Sequence, residues 1–325
     1  MKILQGSPKF FKLQGVKKDT PLYLMLNLES GCSYKCVKCA LPGYRCNMKD
    51  SLTLAQRQRI MSLAHEIGIK SLVVIGRGEP TEYFSLMKPI IETANTYGFV
   101  TIMFTNASNL DREQAKFYQS HNVSLIVSLD SINKKTYKEL TGNGDLIRVL
   151  KNIELLRSAY RKQKDFVRLG INVTVTKQNQ HELDAIKEFA GDDIFFVANP
   201  PIKIGKLQNP SAWKELVGNT YEELNKVAKE KSETSGQSSL EGGICSYFYR
   251  GISVDVDGAL LSCGYATESS FLGDATNATA EELLKHYHRI RKGFKNFLSE
   301  IKQESIPCPL RSDLYHLFLE ELRNE

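Results

Sequence analysis

Cys32, Cys36 and Cys39 stand in a C-x3-C-x2-C spacing, within Cys32-Ser-Tyr-Lys-Cys36-Val-Lys-Cys39. Three thiols so close on one loop are able to converge on a single metal centre. They cannot fill a four-iron cubane, so one iron is left for an external ligand. Adding Cys46 gives C-x3-C-x2-C-x6-C, and four thiolates also suit a tetrahedral zinc. A second set comprises Cys245 and Cys263, spaced C-x12-G-x4-C around Gly258, with Cys308 downstream in Ile306-Pro-Cys-Pro. Buried apolar cysteine is the plain alternative for that set. The six histidines form no HExxH pair, and no phosphate-binding glycine loop or G-x-S-x-G elbow occurs.

The elements that must position these thiols read as alternating strand and helix. Strands are expected at Leu22–Leu28, Ser71–Ile75, Val100–Thr105, Leu125–Ser128, Val167–Thr176 and Ile194–Ala198. Helical periodicity falls at Thr53–Ile67, Tyr83–Tyr97, Asp111–His121, Lys134–Leu140, Leu146–Lys162 and Gln180–Ala190. Six βα-like units in order predict a parallel sheet whose right-handed crossovers curl it into an open α/β barrel, a partial (β/α)6 barrel. The cysteine loop follows its first strand, at the edge where active sites of parallel sheets lie. Structural zinc loops rarely sit there.

After Asn199 the pattern changes. Pro200-Pro201 stops the last strand, a helix is expected over Tyr221–Lys231, and Glu230–Gly243 is polar and glycine-rich. Ile252–Asp255 and Ala259–Ser262 then flank a Val256-Asp257-Gly258 turn, predicting a hairpin. Helices over Ala280–Lys285 and Arg311–Leu322 close the chain. The expected organisation is an N-terminal extension (1–20), the barrel (21–200), a connecting region (201–243) and a small α+β domain (244–325).

Composition narrows the function classes. The 325 residues are 42% hydrophobic and 25% charged, which excludes disordered, collagenous and coiled-coil chains. No apolar run approaches the ~18–20 residues of a membrane span, and the N-terminus lacks a signal-like apolar core. Seven cysteines in such a chain point to the reducing cytoplasm and to metal or catalytic thiols. The net charge of +6 suits an acidic substrate, an acidic redox partner or nucleic acid about equally. The basic run Lys285–Lys295 reads as the solvated face of a helix rather than a docking patch. With no aromatic-basic signature, a zinc-stabilised nucleic-acid-binding protein is the weaker reading.

From Tyr23 to Ala198 the sequence resembles the radical S-adenosylmethionine (radical SAM) superfamily, whose signature is C-x3-C-x2-C after the first strand. Gly76-Arg77-Gly78-Glu79-Pro80 is similar to the family's Gly-Gly-Glu-Pro segment, which binds the SAM amino group. Thr105-Asn106, Ser128-Leu-Asp130-Ser131, and Asn172 with Thr174 resemble the family's polar strand ends, the last pair falling where ribose is often contacted. The resemblance implies that Cys32, Cys36 and Cys39 hold a [4Fe–4S] cluster whose fourth iron is chelated by SAM. Gly78, Glu79, Pro80, Asn106, Ser128, Asp130 and Asn172 would contact SAM. Reductive cleavage would give a 5′-deoxyadenosyl radical that abstracts hydrogen from an unactivated carbon. An electron donor of the flavodoxin or ferredoxin type would supply the electron.

Three positions depart from the family. Lys38 replaces an aromatic residue, Arg77 replaces the first glycine, and Leu140-Thr141-Gly142 stands where relatives have Leu-Arg-Gly; Lys138 is a possible substitute for that arginine. The second thiol set resembles the opening of the SPASM and Twitch domains, and the shorter Twitch form fits better. It implies one auxiliary [4Fe–4S] cluster on Cys245, Cys263 and Cys308. Cys46 is open between hydrogen donor, auxiliary ligand and spare thiol. Twitch-bearing relatives include aminocyclitol and aminoglycoside dehydrogenases and epimerases, and peptide maturases. Only about twenty residues precede the first strand, leaving no room for a leader-peptide domain. The expectation is therefore a small polar substrate, epimerised or dehydrogenated, with a ribosomal peptide as the alternative. The barrel interior and the loop Pro200–Lys214 are expected to choose it.

Overall fold

Short apolar runs buried on both faces mark the strands of a parallel sheet. β1 (Tyr23–Leu26) and β2 (Ser71–Val74) are wholly buried, and β3 (Val100–Thr105), β4 (Val123–Ser128), β5 (Leu169–Thr174) and β6 (Phe195–Asn199) nearly so. This computed structural model describes residues 2–18, 20–29, 31–41, 51–75, 77–160, 166–232, 244–266, 272–303, 308–311 and 314–324. Consecutive strands pair in parallel, with Tyr23 opposite Ser71, Ser71 opposite Val100, Thr101 opposite Val123, Leu125 opposite Leu169 and Gly170 opposite Phe195. The strand order β6-β5-β4-β3-β2-β1 follows the chain, as six βα units in sequence require.

The crossovers are α2 (Leu54–Glu66), α3 (Phe84–Thr96), α4 (Arg112–Ser120), the pair α5 (Lys134–Thr141) and α6 (Leu146–Tyr160), and α7 (Leu183–Ala190). Capping boxes start α2 and α4: Thr53 with Gln56, and Asp111 with Gln114. These bounds agree with the sequence reading to within a few residues.

Two helices ahead of the C-terminal hairpin region were not legible in the sequence. α1 (Pro8–Leu13) lies in the N-terminal stretch, capped by Ser7, with Phe10 and Phe11 buried. Gln5 N–H donates to Val167 O at 2.8 Å and Tyr23 Oη to Gly6 O at 3.1 Å, so this stretch packs on the N-terminal edge of the barrel. α8 (Pro210–Leu216) precedes α9 (Tyr221–Lys231) in the connecting region.

After a short α10 (Ser246–Tyr249), β7 (Gly251–Val254) and β8 (Leu260–Leu261) form the expected hairpin. Gly258 turns it at φ +98°, and a Cβ there would lie 2.3 Å from Thr276 Oγ1. β7 also pairs in parallel with β1, Tyr23 opposite Gly251, so the hairpin continues the barrel sheet to eight strands. The next helix, expected to stop at Lys285, runs on as α11 (Ala280–Glu300). Lys285, His288, Lys292 and Lys295 lie on its exposed face, while Tyr287, Ile290, Phe294 and Phe297 are buried. α12 (Tyr315–Asn324) packs against α11, and Phe318 meets Phe248 and Phe294 at 5.6 and 5.7 Å.

Candidate active site

The C-terminal ends of the strands open on a cavity of about 1640 Å³. Its lining includes Cys32, Cys36 and Cys39 from the loop after β1, and Cys245, Cys263 and Cys308 from the tail. Gly78, Glu79, Asn106, Ser128, Asp130 and Asn172 line it as well. Pro80 does not; buried, it begins a 3-10 turn (Pro80–Tyr83) behind the cavity wall. Cys46 and Gly76 lie outside the described residues.

The cysteine loop is gripped through its backbone from two sides. On one, Lys35 N–H and Val37 N–H each donate at 3.0 Å, to Thr141 O and Leu140 O. Asn143 adds two contacts, accepting from Lys35 N–H at 3.0 Å and donating to Ser33 O at 2.6 Å. The Leu140-Thr141-Gly142 segment is therefore a brace for the loop. Lys138 is exposed and is not part of the cavity wall.

On the other side stands the 3-10 turn Gly205–Gln208 after β6. Lys206 N–H donates to Cys39 O at 3.0 Å, and Lys206 Nζ to Cys36 O at 2.8 Å and Lys35 O at 3.2 Å. Gly205 has φ +57°, and a Cβ there would fall 2.2 Å from Ala40 O, so only glycine allows this approach. Part of the loop expected to choose the substrate thus also holds the cysteine loop, while its Pro200, Ile202 and Leu207 line the cavity.

Lys38 crosses the cavity wall. Its ammonium lies 3.0 Å from Asp130 Oδ2 and donates to Thr174 Oγ1 at 2.8 Å, while Asp130 Oδ1 accepts from Thr174 N–H at 2.9 Å. Both oxygens of Asp130 are thereby engaged by the protein. Asn172 Oδ1 accepts from Asn199 Nδ2 at 2.7 Å.

Glu79 is buried. Its Oε1 accepts from Thr81 N–H (3.0 Å), Thr81 Oγ1 (2.7 Å) and Thr105 Oγ1 (2.5 Å), and its Oε2 from Asn106 N–H (2.6 Å). Burial raises its pKa, and these donors work against the rise. Asn106 Nδ2 reaches Cys32 Sγ at 3.7 Å, linking the end of β3 to the first thiol. Arg77, in the family's glycine position, makes a bidentate buried pair with Asp255 at the end of β7, at 2.6 and 2.5 Å.

Burial pushes the Cys32 thiol up to about 12, with Glu79, Cys36 and Glu82 adding to the rise. Cys36 rises to about 11 through burial, against which Lys38 and Lys206 act. Thiols in such surroundings become thiolates when a metal is bound beside them. Cys308 is also raised by burial, with Cys245 contributing, and Tyr265 feels Cys263, Cys245 and Cys308 together. The three tail thiols line the same cavity. Among the described residues, no three His, Cys, Asp or Glu side chains gather around a single metal ion. A cubane does not ask for that, since its thiolates reach separate irons. Three soft donors on one braced loop, facing an open cavity, fit an iron–sulfur cluster with one iron left to a ligand.

Residues 26–190 match the radical SAM superfamily. The chain belongs to that superfamily, whose enzymes use a [4Fe–4S] cluster and SAM. Among curated proteins it is 28% identical over 185 residues to a GTP 3',8-cyclase of Tolumonas auensis, covering 56% of this chain and 51% of that protein. It is 31% identical over 169 residues to a probable GTP 3',8-cyclase of Thermococcus kodakarensis, covering 51% and 52%. The chain thus spans about half the length of these relatives. Among solved structures, Streptococcus suis SuiB bound to precursor peptide SuiA superposes with TM-score 0.61 at 19% identity, covering 86% of this chain and 69% of that one. anSMEcpe with bound AdoMet gives 0.58 at 17%, covering 94% and 96%. These likenesses bear out the α/β fold and the partial barrel. Among the described residues, no helix is long and apolar enough to cross a membrane.

The sequence reading missed Gly205, Lys206 and Asn143. An isolated glycine soon after the last strand was the one available signal, and it does not say which backbone comes close.

Proposed function

We propose that this enzyme abstracts hydrogen from an sp3 carbon of a small polar substrate, with epimerisation or dehydrogenation as the outcome. The observation that carries this reading is the single cavity of about 1640 Å³ lined by both thiol sets. It exceeds the ~300–1,000 Å³ of an ordinary one-ligand site, leaving room for SAM and a second molecule. Cys32, Cys36 and Cys39 would hold the first cluster, which with SAM supplies the 5′-deoxyadenosyl radical. Gly78, Glu79, Asn106 and Ser128 line the wall where SAM would lie, with Asn172 toward its ribose. Pro80 fixes the turn behind Glu79. Asp130, neutralised by Lys38, shapes the wall rather than accepting from ribose. Cys245, Cys263 and Cys308 would hold an auxiliary [4Fe–4S] cluster in a Twitch-like tail. The electron donor would be of the flavodoxin or ferredoxin type, and so many reduced thiols suit the cytoplasm.

Cys46 separates the outcomes. As a hydrogen donor it makes the reaction a redox-neutral epimerisation; if the auxiliary cluster accepts the second electron, the product is oxidised. The curated relatives carry the name GTP 3',8-cyclase, so GTP is the first small polar molecule to assay. A peptide substrate is the second reading, supported by the solved complexes of SuiB with SuiA and of anSMEcpe with Cp18Cys peptide.

Anaerobic reconstitution should give near eight irons per chain, for two [4Fe–4S] clusters. Dithionite with SAM should yield 5′-deoxyadenosine, and Cys32→Ala should abolish it. About four irons would refute the auxiliary cluster, and intact SAM would refute the chemistry. In deuterated water, Cys46→Ala should remove deuterium from the product if that thiol is the donor.

A further inference from the structure

Lys38 and Lys206 each tie the same thiol-bearing segment to the ends of the barrel strands or the turn that follows them. Lys38 is itself in the loop and anchors its ammonium on Asp130 and Thr174, at the ends of β4 and β5. Lys206 comes from the turn after β6 and places its ammonium 2.8 Å from the Cys36 carbonyl. Its own N–H holds the Cys39 carbonyl at 3.0 Å, and Gly205 allows the approach. Lys38 side-chain exposure is 13% and that of Asp130 4%, so their attraction is weakly screened.

The two cations are not equivalent. Lys38 is largely offset by the Asp130 carboxylate, so its main effect is to fix where the loop lies. Lys206 meets carbonyl oxygens in the contacts described above, and no carboxylate offsets its charge in them. A positive charge near a cluster favours the reduced, more negative state.

We propose that Lys38 and Lys206 form a two-lysine clamp on the Cys36 segment, in which Lys38 positions the loop and Lys206 raises the reduction potential of its cluster. Both are positioning residues. The inference rests on the assignment of a [4Fe–4S] cluster to Cys32, Cys36 and Cys39.

The test is an EPR-monitored redox titration of the reconstituted full chain, with iron counted per chain. Cys245→Ala/Cys263→Ala/Cys308→Ala serves as the background, so that one cluster is read. Lys206→Met should disfavour reduction about tenfold, which is about 59 mV downward for a one-electron couple. Lys206→Arg should restore the potential. Lys38→Met should lower the iron retained and alter the EPR line shape on adding SAM, and Lys38→Arg should recover iron. A parent protein without iron refutes the cluster assignment itself. Iron present, with potential and iron content unmoved in both methionine variants, overturns the clamp alone. If a methionine variant binds no iron, its arginine counterpart decides: recovery supports the clamp, and none overturns it.

Discussion

Glu79 is a buried carboxylate whose oxygens face four donors, from Thr81 twice, Thr105 and Asn106. An amide cannot satisfy them all. Whichever way Glu79→Gln turns, its NH2 meets a donor, either Asn106 N–H alone or the three donors from Thr81 and Thr105, so at least one hydrogen bond is lost at a cost of about 1–3 kcal/mol. Urea unfolding should show that loss, and an unchanged midpoint would mean the carboxylate serves SAM alone. The charge at this position was legible because Gly78-Glu79-Pro80 is contiguous, and the three loop thiols were legible because their spacing is local. The lysines were not. Lys38 finds Thr174 at a separation of 136 residues and Lys206 finds Cys36 at 170, and no local pattern encodes such pairs.

Among the elements, α11 ties the hairpin to the helical layer, packing on β7, α2 and α12. His286 sits in this contact, and burial lowers its pKa to about 4, with the Leu261 and Leu272 backbone partly offsetting the fall. The unfolded chain, with an ordinary histidine near 6.5, takes up this proton first as pH falls. Stability from this group is therefore full above about pH 6.5 and is lost progressively down to about pH 4, by about 3 kcal/mol. Denaturation across that range should show the slope, and His286→Leu should flatten it; an unchanged slope would mean that His286 is already protonated or solvated. The sequence reading bounded this helix at Lys285, although it also took the basic run Lys285–Lys295 as the solvated face of a helix. Burial of Tyr287, Ile290, Phe294 and Phe297 on the opposite face carries the helix through that run. The barrel strands were easier, since runs such as Ser71–Val74 are apolar on both faces.

At the scale of the molecule, the hairpin was legible from its Asp257-Gly258 turn, but its partner was not. β7 supplies the parallel neighbour that β1 lacks on the side away from β2, and strand pairing across 228 residues leaves no trace in local composition. The Arg77–Asp255 pair reinforces the same seam, with side chains only 1% and 5% exposed, and Asn27 Nδ2 donates to Gly264 O at 3.0 Å beside it. Breaking such a buried pair from one side costs about 3–5 kcal/mol. A chain cut after residue 243 would lose Asp255, strand β7 and the aromatic cluster around Phe318 at once. It would leave Arg77 buried without its carboxylate and the β1 edge open, a template for pairing with other chains. Residues 1–243 alone should therefore show no cooperative thermal transition, bind a hydrophobic dye and aggregate. A soluble fragment that melts cooperatively would instead make the barrel an independent domain and the hairpin an appendage. The active site follows the same logic, because the seam joining Arg77 to Asp255 also carries Gly78 and Glu79 on one side and Cys263 on the other.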